Sequence, residues 1–310
     1  MTDPSPSDAV LSAGDDIVAV VVTRDRAELL RASLRALAEQ TRRPDVVVVV
    51  DNGADAETAA VVSACPLSTV YLPSRTNLGG AGGFALGLLT ALSLGGAWVW
   101  CADDDGRPGG PDTLATLLAE ATARGLAEVS PAVVDETDPT RLAFPLRRGL
   151  RWRGSMRDFA PGEFLPGYAS LFNGALFRAE TFRAVGVPDL RLFIRGDETE
   201  VHRRLERSGL RFGTTFRATY LHPQGGEEFV PILGGRLSAQ YPADARKRYY
   251  TYRNRGYLMA QPGMRWLFPL ELVRFGYFFL RRGDVRGLRS WLALTRAGRR
   301  ERFAMPFGDR

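Results

Sequence analysis

The 310-residue sequence predicts an α/β fold, a mostly parallel sheet flanked by helices and followed by a basic helical segment. Three observations point there. Short β-branched runs alternate with apolar stretches at helical spacing, the pattern of strand–helix–strand units. Polar residues capable of chemistry collect where those runs end, at the carboxyl edge where open α/β sheets gather ligands. The charge is also divided. Arg236 to Arg310 carries 17 Lys and Arg against 5 Asp and Glu, whereas residues 1–235 carry 24 against 30.

The elements follow in order. Residues 1–16 read as a disordered leader, because they lack the basic and apolar regions of a signal peptide. "DIVAVVVTRDR" is a buried first strand ending at Thr23. Asp25 and Glu28 form a capping-box pattern, and Leu30, Leu34, Leu37 and Ala38 continue at helical spacing. Val46 to Val50 is an uninterrupted strand that stops at Asp51-Asn52-Gly53. Thr69 to Leu72 is the next, followed by "NLGGAGGFALG" and an apolar helix. "AWVWC" is a fourth strand and delivers Asp103, Asp104 and Asp105. After Val133, "DPTRLAFPLRRGLRWRG" and "DFAPGEFLPGY" predict a loop-rich substrate region. "SLFNGALFR" returns to a strand. "RGDETEVHRRLERSG" is a helix with acids in its first turn and Gly209 past its end. "FRATYLHP" is a strand ending in His222-Pro223.

With 45% apolar and 25% charged residues, the chain has a soluble globular composition. Two cysteines, Cys65 and Cys101, exclude a disulfide framework and a cysteine zinc site, and fit a reducing cytoplasm. No apolar run approaches the ~20 residues of a spanning helix.

Three like charges at the mouth of a buried strand need something positive beside them, or form a solvated turn. The Asp-x-Asp spacing lets Asp103 and Asp105 face one way while Asp104 faces elsewhere. Two carboxylates with His222, one of 2 histidines, suit Mn²⁺, with Mg²⁺ next. The glycine stretch has two readings. Gly80-x-Gly82-x-x-Ala85 loosely matches a dinucleotide fingerprint, with Asp103 ~20 residues later, which implies a nicotinamide-dependent oxidoreductase. Alternatively it is a backbone cradle for a diphosphate, or close packing at a helix start. Asp197, Glu198 and Glu200 complement a helix dipole or supply a general base. His202 reads as a surface residue.

With those residues in view the chain resembles family-2 glycosyltransferases of the GT-A fold. Within them it is similar to the actinobacterial galactofuranosyltransferases that initiate the galactan of cell-wall arabinogalactan. "VVTRDR", "VVVVVDNG", "NLGGAGGFALG", "WVWCADDDG", "AFPLRRGL", "LFIRGDE", "YLHP" and "YYTYRNRGY" carry the resemblance in order along nearly the whole chain. It implies a catalytic domain at 17–235, with a sugar-nucleotide half at 17–135 and an acceptor half at 136–235. It implies that Asp51 binds the uracil edge with Thr23 and Arg24 beside it. Asn77, Gly79, Gly80, Gly82 and Gly83 would lie along the donor ribose and diphosphate. Asp103, Asp105 and His222 would hold Mn²⁺ or Mg²⁺, and Asp104 would contact the donor ribose or sugar. Glu198 would be the catalytic base with Asp197 orienting the acceptor, the choice between the two being open. A glutamate with a reference pKa of about 4.3 is ionised near neutrality, as a base requires.

The implied reaction is a single inverting transfer of galactofuranose from UDP-galactofuranose to rhamnosyl-N-acetylglucosaminyl-diphospho-decaprenol. The alternatives are rhamnosyl transfer from a dTDP donor on a polyprenyl-diphosphate sugar, and a catalytically silent sugar-nucleotide-binding protein. The basic segment 236–310 interleaves arginine with aromatics, and Leu288, Trp291 and Leu292 share a helical face. That suits an anionic membrane surface, and places the enzyme in the cytoplasm, peripheral on the inner face of the cell membrane. Nucleic acid is not expected, since no recognised module accompanies the charge.

Overall fold

The computed structural model describes residues 15–149, 151–224 and 228–307. The expected leader falls almost wholly on residues 1–14, outside the described residues. The first half of the chain alternates regularly: Ile17–Thr23 (β1), Ala27–Ala38 (α1), Val46–Asp51 (β2), Ala56–Ser63 (α2), Thr69–Pro73 (β3), Gly79–Ser93 (α3) and Trp98–Asp103 (β4). These strands lie in the order β3-β2-β1-β4, all parallel. β1 and β2 are buried along their whole length, which is why they read as continuous valine-rich runs with no polar alternation.

Past β4 come Arg107–Pro108 (β5), Thr113–Arg124 (α4), Glu128–Asp135 (β6), Arg141–Arg148 (β7), Arg151–Ser155 (β8), Phe164–Pro166 (β9) and Leu176–Arg178 (β10). Ala179–Val185 (α5), Asp197–Ser208 (α6) and Phe212–His222 (β11) follow. β10 is inserted between β4 and β6, antiparallel to both, and β11 then runs parallel to β6. The sheet is therefore parallel only in its first half and mixed beyond. β11 shifts register between Thr215 and Thr219, opposite Pro131, whose missing N–H cannot complete the ladder. After that bulge the register resumes and brings His222 level with Asp135.

Apolar side chains cover both faces. Leu30, Leu34, Leu114 and Leu117 of α1 and α4 pack on one face. Phe84, Leu88, Phe182, Val201 and Leu205 of α3, α5 and α6 pack on the other. The rest of the chain is the hairpin Phe229–Ile232 (β12) with Leu237–Gln240 (β13), then Ala245–Leu258 (α7), Phe268–Arg281 (α8) and Val285–Arg299 (α9). It has a core of its own, with Tyr252, Phe275, Phe278, Phe279 and Trp291 at the centre. No helix among the described residues is long and apolar enough to cross a membrane.

Three expectations are corrected. Asp25 does not cap α1. It sits at φ 54, Arg26 takes the N-cap position without a side-chain bond, and Glu28 pairs with Arg31 instead. The segment after Asp138 is not loop: β7 and β8 form a hairpin with Arg147 opposite Trp152. Trp291 does not offer α9 to a membrane, because it is buried with its ring stacked on Phe275 at 4.9 Å.

Candidate active site

Parallel register builds the site. Thr23 ends β1 opposite Asp51 of β2, and Val22 lies opposite Asp103 of β4, so the strand ends stop level. Asp104 and Asp105 follow β4 directly, and carboxylate oxygens of all three aspartates lie within 4.8 Å of one another. Asp104 Oδ2 accepts from Thr23 Oγ1 at 2.8 Å, and its Oδ1 accepts from Arg26 Nη1 at 3.1 Å. The same Nη1 reaches Asp105 Oδ2 at 3.1 Å. His222 places Nε2 3.3 Å from Asp105 Oδ1. Its Nδ1 lies 2.7 Å from the carbonyl oxygen of Pro223. A carbonyl only accepts, so Nδ1 carries a hydrogen and Nε2 is the atom turned to the aspartates.

The electrostatics divide the cluster. Burial raises Asp103, and the charges of Asp105 and Asp104 raise it further. Burial raises Asp104 as well, against the pull of Thr23 and Arg26. Burial opposes ionisation of Asp105, but His222 and Arg26 outweigh it and hold that carboxyl below its usual range. His222 is raised in turn, since Asp105 and the Pro223 carbonyl overcome the effect of burial. Asp105 Oδ1 is buried without a hydrogen-bond partner. Hard carboxylate oxygens, one of them facing only the His222 imidazole, and an imidazole whose other nitrogen is fixed by a carbonyl are a donor set that fits a divalent cation. Asp104 is committed to Thr23 and Arg26.

The second acidic group opens α6. Gly196 precedes it at φ 88, a backbone conformation that suits glycine. Glu198 Oε1 accepts from the Leu171 N–H at 2.7 Å. Burial, then the charge of Asp197, pushes Glu198 up to about 7, and burial pushes Asp197 to about 6. The expectation of an ordinary glutamate is thus corrected: Glu198 titrates close to neutrality, where a general base works best. Glu198 also lies close enough to His222 to feel its charge.

Other expected residues are placed differently. Asp51 is fully buried, with Oδ1 accepting from Gly53 N–H at 2.8 Å and Oδ2 from Asp55 N–H at 2.9 Å and Tyr71 Oη at 2.7 Å. It builds the turn after β2 and presents no surface to a base edge. Arg24 is exposed and pairs with Asp25 at 3.3 Å, while Arg26 reaches the aspartates. Asn77 Oδ1 accepts from the Gly79 N–H at 3.0 Å. Gly79, Gly82 and Gly83 are held to glycine by close packing. A Cβ at these positions would lie 2.2 Å from Phe193 O, 2.8 Å from Leu78 Cβ and 2.5 Å from Val22 Cγ1 respectively. Gly80 has more room, its nearest neighbour being Asp197 Oδ2 at 3.8 Å. His202 is not a surface residue: it is half-buried against the rings of Tyr168 and Phe212, and burial lowers its pKa.

Two residues escaped the sequence reading. Arg26 was hidden by Asp25, whose left-handed backbone turns the chain so that Arg26, and not Arg24, returns over β4. Glu128, at the start of β6, is fully buried, accepts from Ser130 Oγ at 2.5 Å and is pushed well above its usual range by burial. An acid in an otherwise apolar strand was its signal.

A profile of glycosyl transferase family 2 matches residues 18–186. The chain belongs to glycosyltransferase family 2. It is 59% identical over 294 residues to galactofuranosyltransferase GlfT1 of Mycolicibacterium smegmatis, covering 93% of this chain and 97% of that one. Its fold is similar to S. aureus TarS, with a TM-score of 0.53 at 17% identity over 67% of this chain, which spans only 36% of TarS. It is also similar to the mannosyltransferase PcManGT of Pyrobaculum calidifontis, solved with GDP-Man and Mn²⁺, with a TM-score of 0.52 at 16% identity over 94% of this chain and 76% of that one. The fold is GT-A. Membership of this family replaces the nicotinamide reading. The family profile ends before α6 and β11, so Asp197, Glu198 and His222 lie beyond it.

Proposed function

We propose that the chain is a metal-dependent, inverting galactofuranosyltransferase. It takes galactofuranose from UDP-galactofuranose and passes it to a rhamnosyl-N-acetylglucosaminyl disaccharide on a polyprenyl diphosphate, initiating galactan. The near end-to-end likeness to a galactofuranosyltransferase supports the donor. The observation that carries the chemistry is the meeting of Asp103, Asp105 and His222 at one strand edge, within electrostatic reach of a buried glutamate poised near pH 7.

Asp103, Asp105 and His222 would hold Mn²⁺ or Mg²⁺. When bound, the ion neutralises charge that builds on the departing UDP. Thr23 and Arg26 fix Asp104 at the donor side, and Arg24 stands exposed at the rim to meet the nucleotide. Glu198, oriented by the Leu171 and Phe172 N–H groups, would take the proton from the acceptor hydroxyl as that oxygen attacks the anomeric carbon. Asp197 adds a neighbouring charge that keeps Glu198 basic. One displacement from the far side inverts the centre without a covalent enzyme intermediate.

The lipid acceptor belongs at a membrane, and α8 supports that placement. Leu270, Val273, Tyr277 and Leu280 are exposed at helical spacing along it, Trp266 is exposed in the turn just before it, and Arg265, Arg281, Arg282 and, at the start of α9, Arg286 are exposed beside its ends. An apolar stripe flanked by cations suits an anionic bilayer surface at the cytoplasmic face.

The test is transfer of label from UDP-galactofuranose to a short-chain lipid diphosphate bearing N-acetylglucosamine and rhamnose, with Mn²⁺ and with chelator. Metal-dependent product is expected. Labelled product from dTDP-rhamnose and none from UDP-galactofuranose would overturn the donor assignment.

A further inference from the structure

Asp197 follows directly on a strained segment. Phe193 at φ 65 and Arg195 at φ 69 both occupy the left-handed region, and Gly196 continues it at φ 88. Side chains other than glycine adopt that conformation at a cost, and keep it only where their surroundings over-determine it.

Five consecutive carbonyls show how this is done. The oxygens of Arg191 and Leu192 each accept from Arg253 Nη2 at 3.0 Å. Leu192, Ile194 and Arg195 present theirs to Asn254 Nδ2 at 2.8, 2.9 and 2.6 Å. The carbonyl between them, Phe193, accepts from the Ala81 N–H of α3 at 3.0 Å. Asn254 Oδ1 accepts from Arg253 Nε at 2.9 Å, which turns the amide so that its nitrogen faces the loop. The Arg253 side chain is itself fully buried. It anchors Nη1 on the Ala304 carbonyl at 2.7 Å, and its guanidinium lies 4.7 Å from the centre of the Tyr250 ring. On the opposite side the loop rests on Gly79, where any Cβ would collide with Phe193 O. "NLGGAGGFALG" and "YYTYRNRGY" thus close on the same five residues from two directions.

We infer that Arg253 and Asn254 are positioning residues for the Asp197–Glu198 pair, so that the C-terminal helices are part of the catalytic unit and not only a membrane-facing appendage. The inference rests on the proposed role of Glu198 as base. The two side chains hydrogen-bond main-chain carbonyls and each other. They fix the backbone that enters the first turn of α6, and through it the direction of the carboxylates.

The test compares Asn254→Asp, Arg253→Lys and Glu198→Gln in the full-length enzyme. Asn254→Asp keeps the shape but turns the amide donors into an acceptor facing carbonyls. Arg253→Lys keeps the charge and loses the two-carbonyl fork. For each, kcat, donor KM, Mn²⁺-dependent UDP binding and the pH profile of kcat/KM are measured. Asn254→Asp is expected to lower kcat about 100-fold and to move the acidic limb, with donor KM and UDP affinity within about threefold. Arg253→Lys moves the same readouts less, and serves alone if Asn254→Asp does not fold. Wild-type kcat and pH limb in both variants would overturn the inference. So would loss of UDP binding in step with kcat, or failure of both to fold, because either makes the pair a general element of stability. Full activity in Glu198→Gln sinks the base assignment instead, whatever happens at Asn254.

Discussion

The carboxyl edge of the sheet and the first turn of α6 each hold acids away from water, and they do it by different means. At the sheet edge, side chains hold side chains: Thr23, Arg26 and His222 grip Asp104 and Asp105 within 3.3 Å. Cationic partners keep Asp105 ionised although it is partly buried. At α6 it is backbone groups that are engaged. Glu198 is fixed by a main-chain N–H, and the loop before it by its carbonyls, so burial wins and the acid titrates near 7. At the sheet edge Asp105 is kept charged while burial and its neighbours raise Asp103, whereas Glu198, which must accept a proton, is left close to its own midpoint.

Three measurements sharpen that contrast. The largest effect is expected at the sheet edge, where Asp103→Asn should lower kcat/KM on the order of 10³-fold and abolish Mn²⁺-dependent UDP binding. Calorimetry with UDP and Mn²⁺ checks it, and tight metal-dependent binding in the variant would remove Asp103 from the cation site. Next comes pH. Glu198 must be ionised to accept a proton and is raised to about 7, so kcat/KM should rise with pH through that value and level off above it. At one pH unit below the midpoint, with metal saturating, the rate should be about tenfold under the plateau. A profile flat down to pH 5 would place the base elsewhere. The smallest effect on chemistry belongs to α8. Leu270→Glu combined with Val273→Glu should weaken partition onto anionic vesicles about tenfold and leave turnover of a soluble short-chain acceptor unchanged. Undiminished co-sedimentation with vesicles would free that stripe from the membrane.

The same contrast explains what the sequence made legible. β1, β2 and β4 announce themselves as apolar runs, and the residue after such a run lands at the ligand edge by strand geometry alone, which is how Asp103 to Asp105 and His222 were found. Arg24 was chosen over Arg26 because a left-handed residue at Asp25 leaves no mark in the sequence. Gly79, Gly82 and Gly83 look alike in the sequence whatever demands them, and only the structure shows that Phe193, Leu78 and Val22 pack where a Cβ would stand. The clamp on residues 191–195 was illegible for a deeper reason. Its acceptors are main-chain carbonyls, which every residue has, and its donors lie about 60 positions away.

The placement of Arg253 and Asn254 also bears on how such enzymes can be recombined. The family profile stops at residue 186, ahead of the clamped loop and of α6. Any junction between residues 195 and 253 would part the loop from the side chains that hold its carbonyls, so a working chimaera must inherit both from one parent or re-evolve the match. A junction at 186 would itself cut across the pairing of β6 with β11, the Leu171 N–H on Glu198, His222 on Asp105 and the Ala81 N–H on Phe193 O. Since that last contact is main chain to main chain, a graft keeps it only if the backbone at a glycine-rich helix start is inherited unaltered in shape.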